Sequence, residues 1–550
     1  MELSKTSQEV LKKRYFLKDA EGNVIEDFQS LMKRVAKAIA KADKKFGAKN
    51  KDISKTEESF YEILATLKFL PNSPTLMNAG TKNGQLAACF VLPVKDTLKD
   101  IFDTLTKAAL IHQSGGGTGF SFSQLRPKGD IVKSTQGVSS GPVSFMRIYD
   151  IATEIIKQGG KRRGANMGVL SANHPDILEF INCKSDLNSF RNFNLSVAFE
   201  LDTINAIKNN SDINLINPRN KAVVKKMPAS ELMNQISRNA WLTGDPGILN
   251  LFSINAANPT PHLGKIEATN PCGEQPLLPY ESCTLGSINL TKFVNNKNID
   301  YPELEKTIKT AVHFLDNVIE ENSYPFPDIA EISKGNRKIG LGVMGFADML
   351  LLLDIPYTSK AAISIAEEVM SFINKKAVEA SRELAKLRGA FSEFEKSVYA
   401  AKGEKPRRNA TVTTIAPTGT ISILAGVSSG IEPNFAYIMK RNVMDTVFEE
   451  LHPIYAKYKK EGREINKDVF LTAFDVPPQK HLEVQLAFQK HTENAVSKTI
   501  NLPENATIDE VKDIFLMALE MGLKGVTIYR NNSKPSQTLT ICNINPDKEC

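Results

Sequence analysis

Cysteine and tryptophan are scarce, at six and one among 550 residues. No two cysteines stand closer than eight positions, so the C-x2–4-C pairs of structural zinc sites are absent. The seven histidines supply a single Glu-x-x-His, Glu449 with His452, where a di-iron bundle needs two, and no metal-ligand set is expected. The phosphate loop G-x-x-x-x-G-K-[ST] is also missing, which excludes classical NTPase chemistry. No apolar run reaches membrane-spanning length, and "MELSKTSQEVLKKRYFLKDAEGN" has no signal-peptide core, so a cytoplasmic protein without membrane contact is expected. In that reducing compartment, cysteines are free thiols, redox reagents or ligands before they are a disulfide framework. Net charge is only +7, from 69 basic and 62 acidic side chains with no basic tail, and gives no nucleic-acid signature.

The apolar fraction of 41 % and charged fraction of 24 % are those of a folded globular chain, long enough for a large core with flanking units. From Ser7 to Ala42 the pattern is helical, with Leu31, Val35, Ala36, Ala38 and Ile39 as its apolar stripe. Beyond Phe69, short β-branched runs such as "AACFVLPV" and "ATVTTIA" alternate with glycine turns and amphipathic helices, an α/β texture. The clearest helix starts after Ser359, places Val369, Ile373, Ala377, Ala380, Leu384 and Leu387 on one face, and stops at Gly389. "IGLGVMG" is a literal G-x-G-x-x-G, but the polar "ISKGNRK" before it is no Rossmann strand, and its glycines read as close backbone packing.

Three other glycine segments suit anions or turns. "TIAPTGTIS" is a strand-to-helix turn able to aim N–H groups and hydroxyls at a phosphate; "KQGGKRRGAN" is a basic loop; "SGGGTGFSF" reads as a tight turn under the core. The segment "NPCGEQPLLPYESC", Asn270 to Cys283, is more pointed. Its prolines and Gly273 exclude regular helix, and an extended loop would put Asn270, Cys272 and Glu274 on one side. Glu as base, Asn as orienting group and Cys as nucleophile or radical carrier form a reactive set, and a buried thiol in a proline-rich loop is the bland alternative.

Taken together and in order, "LPNSPTLMNAG" with "AACF", "SGGGTGFSF", "NPCGEQPLLPYESCTLGSINL", "APTGTIS" and "HTENAVSKTINLP" resemble the catalytic chain of ribonucleotide reductases. The resemblance implies a ten-stranded α/β barrel, two antiparallel five-stranded parallel half-barrels with a central finger loop. It divides the chain into an N-terminal helical region over 1–70 without an ATP cone, a barrel over 71–530 and a flexible tail over 531–550. It implies that Cys272 carries a thiyl radical, Glu274 takes the 3′-hydroxyl proton, Asn270 holds the hydroxyls, and Cys89 with Cys283 supply two electrons and end as a disulfide. Ser73, Ala88, Gly117, Asn270, Glu274 and the run Pro417, Thr418, Gly419, Thr420, Ile421, Ser422 would bind substrate. Asp96, Lys133, Gln158 and Arg162 would serve nucleoside triphosphate specificity effectors in a homodimer.

The wording "ESCTLGSINL" and "RPKGD" resembles the adenosylcobalamin (vitamin B12) class II enzymes acting on ribonucleoside diphosphates. Where reductases fed by a metal-containing radical subunit carry a Tyr-Tyr pair, Ile528 precedes Tyr529 here. Without D-x-H-x-x-G, histidine-ligated cobalamin is not indicated. The reductant would be thioredoxin-like or a small thiol, with Cys542 and Cys550 as a tail relay, and Cys183 reads as structural. The rivals are a reductase needing a metal subunit and a non-catalytic nucleotide-binding relative.

Overall fold

The computed structural model describes residues 3–132, 136–158, 162–443, 446–533 and 540–541. Its N-terminal part is helical: Lys5–Val10, a π-helical turn Leu11–Tyr15, Phe28–Ala40 and Asn50–Ala65. The helix Phe28–Ala40 starts at a reciprocal cap, in which Ser30 N–H donates to the Asp27 carboxylate and Asp27 N–H donates to the Ser30 hydroxyl. Its expected apolar stripe is buried, against Asn50–Ala65 and the helix Tyr301–Glu321.

Ten strands make the main sheet: β1 (Phe69–Pro71), β2 (Cys89–Val91), β3 (Gly117–Ser121), β4 (Asn166–Ser171), β5 (Phe193–Phe199), β6 (Gly247–Asn250), β7 (Ser282–Asn289), β8 (Ile339–Met344), β9 (Thr499–Leu502) and β10 (Gly525–Arg530). Strands β2 to β6 pair in parallel. So do β7 with β8 and β9 with β10. The parallel runs meet antiparallel at β2–β7 and β6–β10. Strands β7 and β8 are buried along their whole length, as a sheet covered on both faces requires.

The fold is thus mixed α/β with a large mixed sheet, but its ladder is not continuous. Between β8 and β9 the segment 411–415, expected as a strand from "ATVTTIA", forms only isolated parallel bridges, Leu341↔Thr413 and Ile415↔Val496. Close approach explains the glycines of "IGLGVMG": a Cβ at Gly342 would lie 2.2 Å from the Thr414 carbonyl oxygen, and one at Gly340 2.5 Å from Thr414 Cγ2. The long helix runs Lys360–Arg388, its first turn capped by Ser359, whose hydroxyl accepts from Ala362 N–H. Its stripe is buried except for Leu387, which is 79 % exposed. Helical period alone does not say where the covering layer stops. Among the described residues no helix is long and apolar enough to cross a membrane.

Candidate active site

A short hairpin, Ala268–Thr269 against Pro276–Leu277, carries the segment Asn270–Gln275 at its tip. This loop lies hard against β3. A Cβ at Gly119 would sit 1.7 Å from the Thr269 carbonyl oxygen, and one at Gly117 3.0 Å from Pro271 Cγ. Of the glycines of "SGGGTGFSF", Gly115, with φ +99°, makes the turn expected from the sequence as C-cap of the helix Leu98–Ser114, whereas Gly117 and Gly119 belong to a strand that seats the loop. Spacing could not reveal this, because the partner that requires them lies about 150 residues downstream.

The tip itself is a turn rather than the extended loop expected. Gly273 has φ +82° and its N–H donates to the Asn270 carbonyl at 3.1 Å, so the two-residue alternation of a strand does not apply. The turn leaves Cys272 exposed at its apex and buries Asn270 and Glu274 on its flanks. Its frame is hydrogen-bonded throughout. Asn194 Nδ2 donates to the Pro271 carbonyl at 2.7 Å, Gln275 N–H to Asn270 Oδ1 at 3.0 Å, and Thr414 Oγ1 and Ala495 N–H to the Glu274 carbonyl at 2.7 and 3.1 Å.

Asn270, Cys272, Glu274 and Cys89 all line one cavity of about 360 Å³, together with Ser73, Ala88, Gly117 and Pro417 to Ile421. Asn270 Nδ2 reaches Cys89 Sγ at 3.2 Å. Cys283 is not on the cavity wall. It stands directly opposite Cys89 across β2 and β7. Facing residues on antiparallel strands have Cα atoms about 4.5–5.5 Å apart, within the span of a disulfide of about 4.4–6.8 Å. Both thiols are buried and unbridged. Burial pushes each well above the ordinary thiol range; the nearby Glu274 adds to this, while the Asn270 hydrogen bond opposes it at Cys89 and the Lys338 ammonium at Cys283. They are held as neutral thiols, hydrogen donors rather than standing nucleophiles.

At the far end of the cavity the helix Gly419–Ala425 begins at Thr418, whose left-handed φ of +54° is held by Gly430 N–H donating to its hydroxyl at 2.8 Å. Thr418, Gly419 and Thr420 of this turn line the cavity. Ser422 lies apart, on the wall of a second cavity of about 1750 Å³, where its hydroxyl is 2.9 Å from that of Ser429. Cys272 borders both cavities. Tyr529 faces the larger one and Ile528 is buried in the core.

The remaining candidates lie elsewhere. Asp96 pairs with Arg126 at 2.7 Å and lines neither cavity. Gln158 and Arg162 face one another in a two-residue ladder. Lys133, Cys542 and Cys550 fall outside the described residues. Cys183 is half-buried among apolar side chains, and burial pushes its thiol up to about 12. Sequence reasoning missed Arg14, Tyr15 and Asn72, which line or brace the smaller cavity. Arg14 and Tyr15 sit in "KKRY", which reads as a solvated helix face, whereas Asn72 lies inside the quoted "LPNSPTLMNAG" as the N-cap beside Ser73.

A mixed α/β protein that gathers two thiols, an amide and a carboxylate around a small cavity, with a third thiol in register behind one of them, is built for thiol redox chemistry on a small ligand. Residues 87–529 match the ribonucleotide reductase barrel domain and residues 1–84 the ribonucleotide reductase all-alpha domain. The chain belongs to the ribonucleotide reductase family. It is 45% identical to the vitamin B12-dependent ribonucleoside-diphosphate reductase of Thermoplasma acidophilum, over 98% of this chain and 80% of that protein. It is equally similar, at 45% over 98% of this chain and 79% of the relative, to the protein of the same description from Mycobacterium tuberculosis strain H37Rv. The ribonucleoside-diphosphate reductase subunit alpha of Chlamydia pneumoniae is 27% identical over 88% of this chain and 56% of its own length.

Proposed function

We propose that this chain reduces ribonucleoside diphosphates to 2′-deoxyribonucleotides with adenosylcobalamin as radical source. The observation that carries the reading is the convergence of Asn270, Cys272, Glu274 and Cys89 on one cavity, with Cys283 in register behind Cys89. Cys272, as a thiyl, takes the ribose 3′ hydrogen. Glu274 accepts the 3′-hydroxyl proton, and Asn270 orients the hydroxyls. The 2′-hydroxyl leaves as water. Cys89 and Cys283 supply two protons and two electrons and become a disulfide, Glu274 gives its proton back to the 3′ oxygen, and Cys272 returns the 3′ hydrogen. Two neutral thiols, as burial makes them, can deliver hydrogen without stranding a charge in the core.

When bound, adenosylcobalamin supplies one-electron homolysis beside Cys272. The 1750 Å³ cavity is larger than the roughly 300–1,000 Å³ that suits an ordinary small ligand, and it opens on Cys272. Its wall offers Asn434 and His452 among polar side chains and Phe435 among apolar ones. The buried His452 has its Nε2 3.0 Å from the Asp348 carboxylate, while its Nδ1 has no hydrogen-bond partner among the described residues, which leaves that nitrogen for an amide-rich cofactor to engage. These residues fit the group.

The bridges through 411–415 support closure of the sheet into a ten-stranded barrel of two half-barrels, with Asn270–Gln275 as its finger loop. The helices up to Ala65 and the first sheet strand at Phe69 support a helical region over 1–70 and a barrel over 71–530. Exposed Leu98, Phe102 and Leu110 on the helix Leu98–Ser114, with Ile148, Ile151 and Ile155 on Pro142–Ile155, support a homodimer formed through that face, near the effector candidates Asp96 and Gln158. Purified chain given CDP, dithiothreitol and adenosylcobalamin forms dCDP under this reading. Turnover that requires a second protein and ignores cobalamin would sink it.

A further inference from the structure

The smaller cavity has an acidic floor and must hold an anion of several charges. Glu274 sits at the ribose end, and a nucleoside diphosphate adds two phosphates. Burying such a ligand without a counter-charge is strongly disfavoured. Yet among the described residues that line this cavity only one is a cation: Arg14.

Arg14 comes from the helical N-terminal region, not the sheet. It lies in the π-helical turn Leu11–Tyr15, closed by Phe16 N–H donating to the Leu11 carbonyl at 2.9 Å. Single π-helical turns break the regular helical ladder and recur at functional sites. Here the turn sends neighbouring side chains to opposite banks of one cavity. Tyr15, buried, places its hydroxyl 2.8 Å from Ser73 Oγ. Arg14 donates from Nη1 to Thr420 Oγ1 at 3.1 Å. Arg14 also borders the larger cavity and is itself exposed, so it stands at the rim where the two cavities meet.

We infer that Arg14 is a substrate ligand that pairs with the terminal phosphate of a nucleoside diphosphate and sets the preference for diphosphate over monophosphate. The inference rests on the substrate reading given above. Its chemistry is that of a planar guanidinium, whose parallel N–H donors match two phosphate oxygens. The rim position suits the outermost phosphate of a ligand whose ribose lies against Asn270 and Glu274 on the wall of the same cavity. With no other cation among the described residues that line the cavity, the ionic discrimination falls on this side chain.

The test is calorimetric titration of the wild-type chain and Arg14→Gln with CDP and with CMP, without cofactor, alongside adenosylcobalamin binding. Loss of a charged hydrogen bond to an anion predicts a Kd for CDP raised about tenfold to a hundredfold. CMP binding stays within about twofold, and Arg14→Lys recovers part of the CDP affinity because it keeps the charge but not the fork. An unchanged thermal midpoint, expected for an exposed side chain, shows that folding is not the cause. Equal losses for CDP and CMP, no loss for either, or weakened cobalamin binding with CDP unaffected would each overturn the inference. A wild-type chain that forms dCDP while Arg14→Gln keeps its CDP preference refutes Arg14 alone. A wild-type chain that neither binds CDP nor forms dCDP refutes the substrate reading and takes the inference with it.

Discussion

The exposed thiol of Cys272 and the buried pair Cys89 and Cys283 are the same functional group in two opposite settings. Cys272 stands at the apex of a glycine turn, on a loop whose backbone carbonyls accept hydrogen bonds from Asn194 and Thr414. Cys89 and Cys283 stand on paired strands, sealed in the core, where burial suppresses ionisation. The difference teaches that backbone context, not residue type, separates an exposed thiol from a buried pair, and the proposed roles of radical carrier and electron store follow that division. A turn apex can present a sulfur to two cavities at once, whereas a strand pair can only present two sulfurs to each other.

The largest expected effect follows from removing the apex sulfur. Cys272→Ser should abolish dCDP formation, to less than about a thousandth of wild type, while CDP still binds in titration. Cys283→Ser should also stop turnover, since no disulfide can close, but should leave Cys272 reactive to alkylation. If Cys272→Ser retained turnover, the assignment of the two roles would be wrong. Gly119→Ala tests the seat of the loop in place of its sulfur. A methyl group there overlaps the Thr269 carbonyl, so overpacking of about 1–3 kcal/mol is expected, read as a lower thermal midpoint together with lost activity. A variant as stable and active as wild type would show that the loop does not need this seat.

Alkylation with iodoacetamide compares the two thiol settings directly. Cys272 should label first, within minutes at pH 7.5, and Cys89 and Cys283 should resist up to pH 9 until the chain is unfolded, as peptide mass spectrometry would show. Rapid labelling of Cys283 in the folded chain would contradict its burial.

How far could these settings be read from sequence? The identity of the reactive set was legible in "NPCGEQ", because amide, thiol and carboxylate stand together there with residues that forbid helix. The long helix from Ser359 was legible because cap, period and stop all lie within one segment. What stayed hidden was set by contacts between distant segments. The role of Gly119 depends on Thr269, that of Gly342 on Thr414, and the register of Cys89 opposite Cys283 on a sheet whose order is not the order of the chain. The extended form expected for Asn270 to Glu274 failed because Gly273 takes a left-handed φ that spacing does not disclose. Arg14 was hidden for a simpler reason. In a run of three cations nothing local marks the one that reaches the cavity rim.

The smallest effect sharpens the comparison from behind the loop. Lys524 is buried, and its ammonium donates to the carbonyls of Glu493, at 3.0 Å, and Asn494. The next residue, Ala495, donates its N–H to the Glu274 carbonyl, so Lys524 braces the segment that holds the foot of the active-site turn. Burial lowers its pKa from 10.5 to about 8. In the unfolded chain it stays protonated to about pH 10.4, so between these values the unfolded state binds more protons and stability rises with pH. The burial penalty is thus fully present below about pH 8 and relieved across pH 8 to 10.5. Lys524→Met removes both the penalty and the two hydrogen bonds. Its stability relative to wild type should therefore be highest near pH 7 and fall as pH rises through that window, measured as the difference in urea midpoints. A difference that is flat with pH would mean that Lys524 keeps its ordinary pKa in the folded chain. The brace would then be no more than two carbonyl contacts, and the rigidity that separates Glu274 from the exposed sulfur beside it would have to come from Thr414 and Ala495 alone.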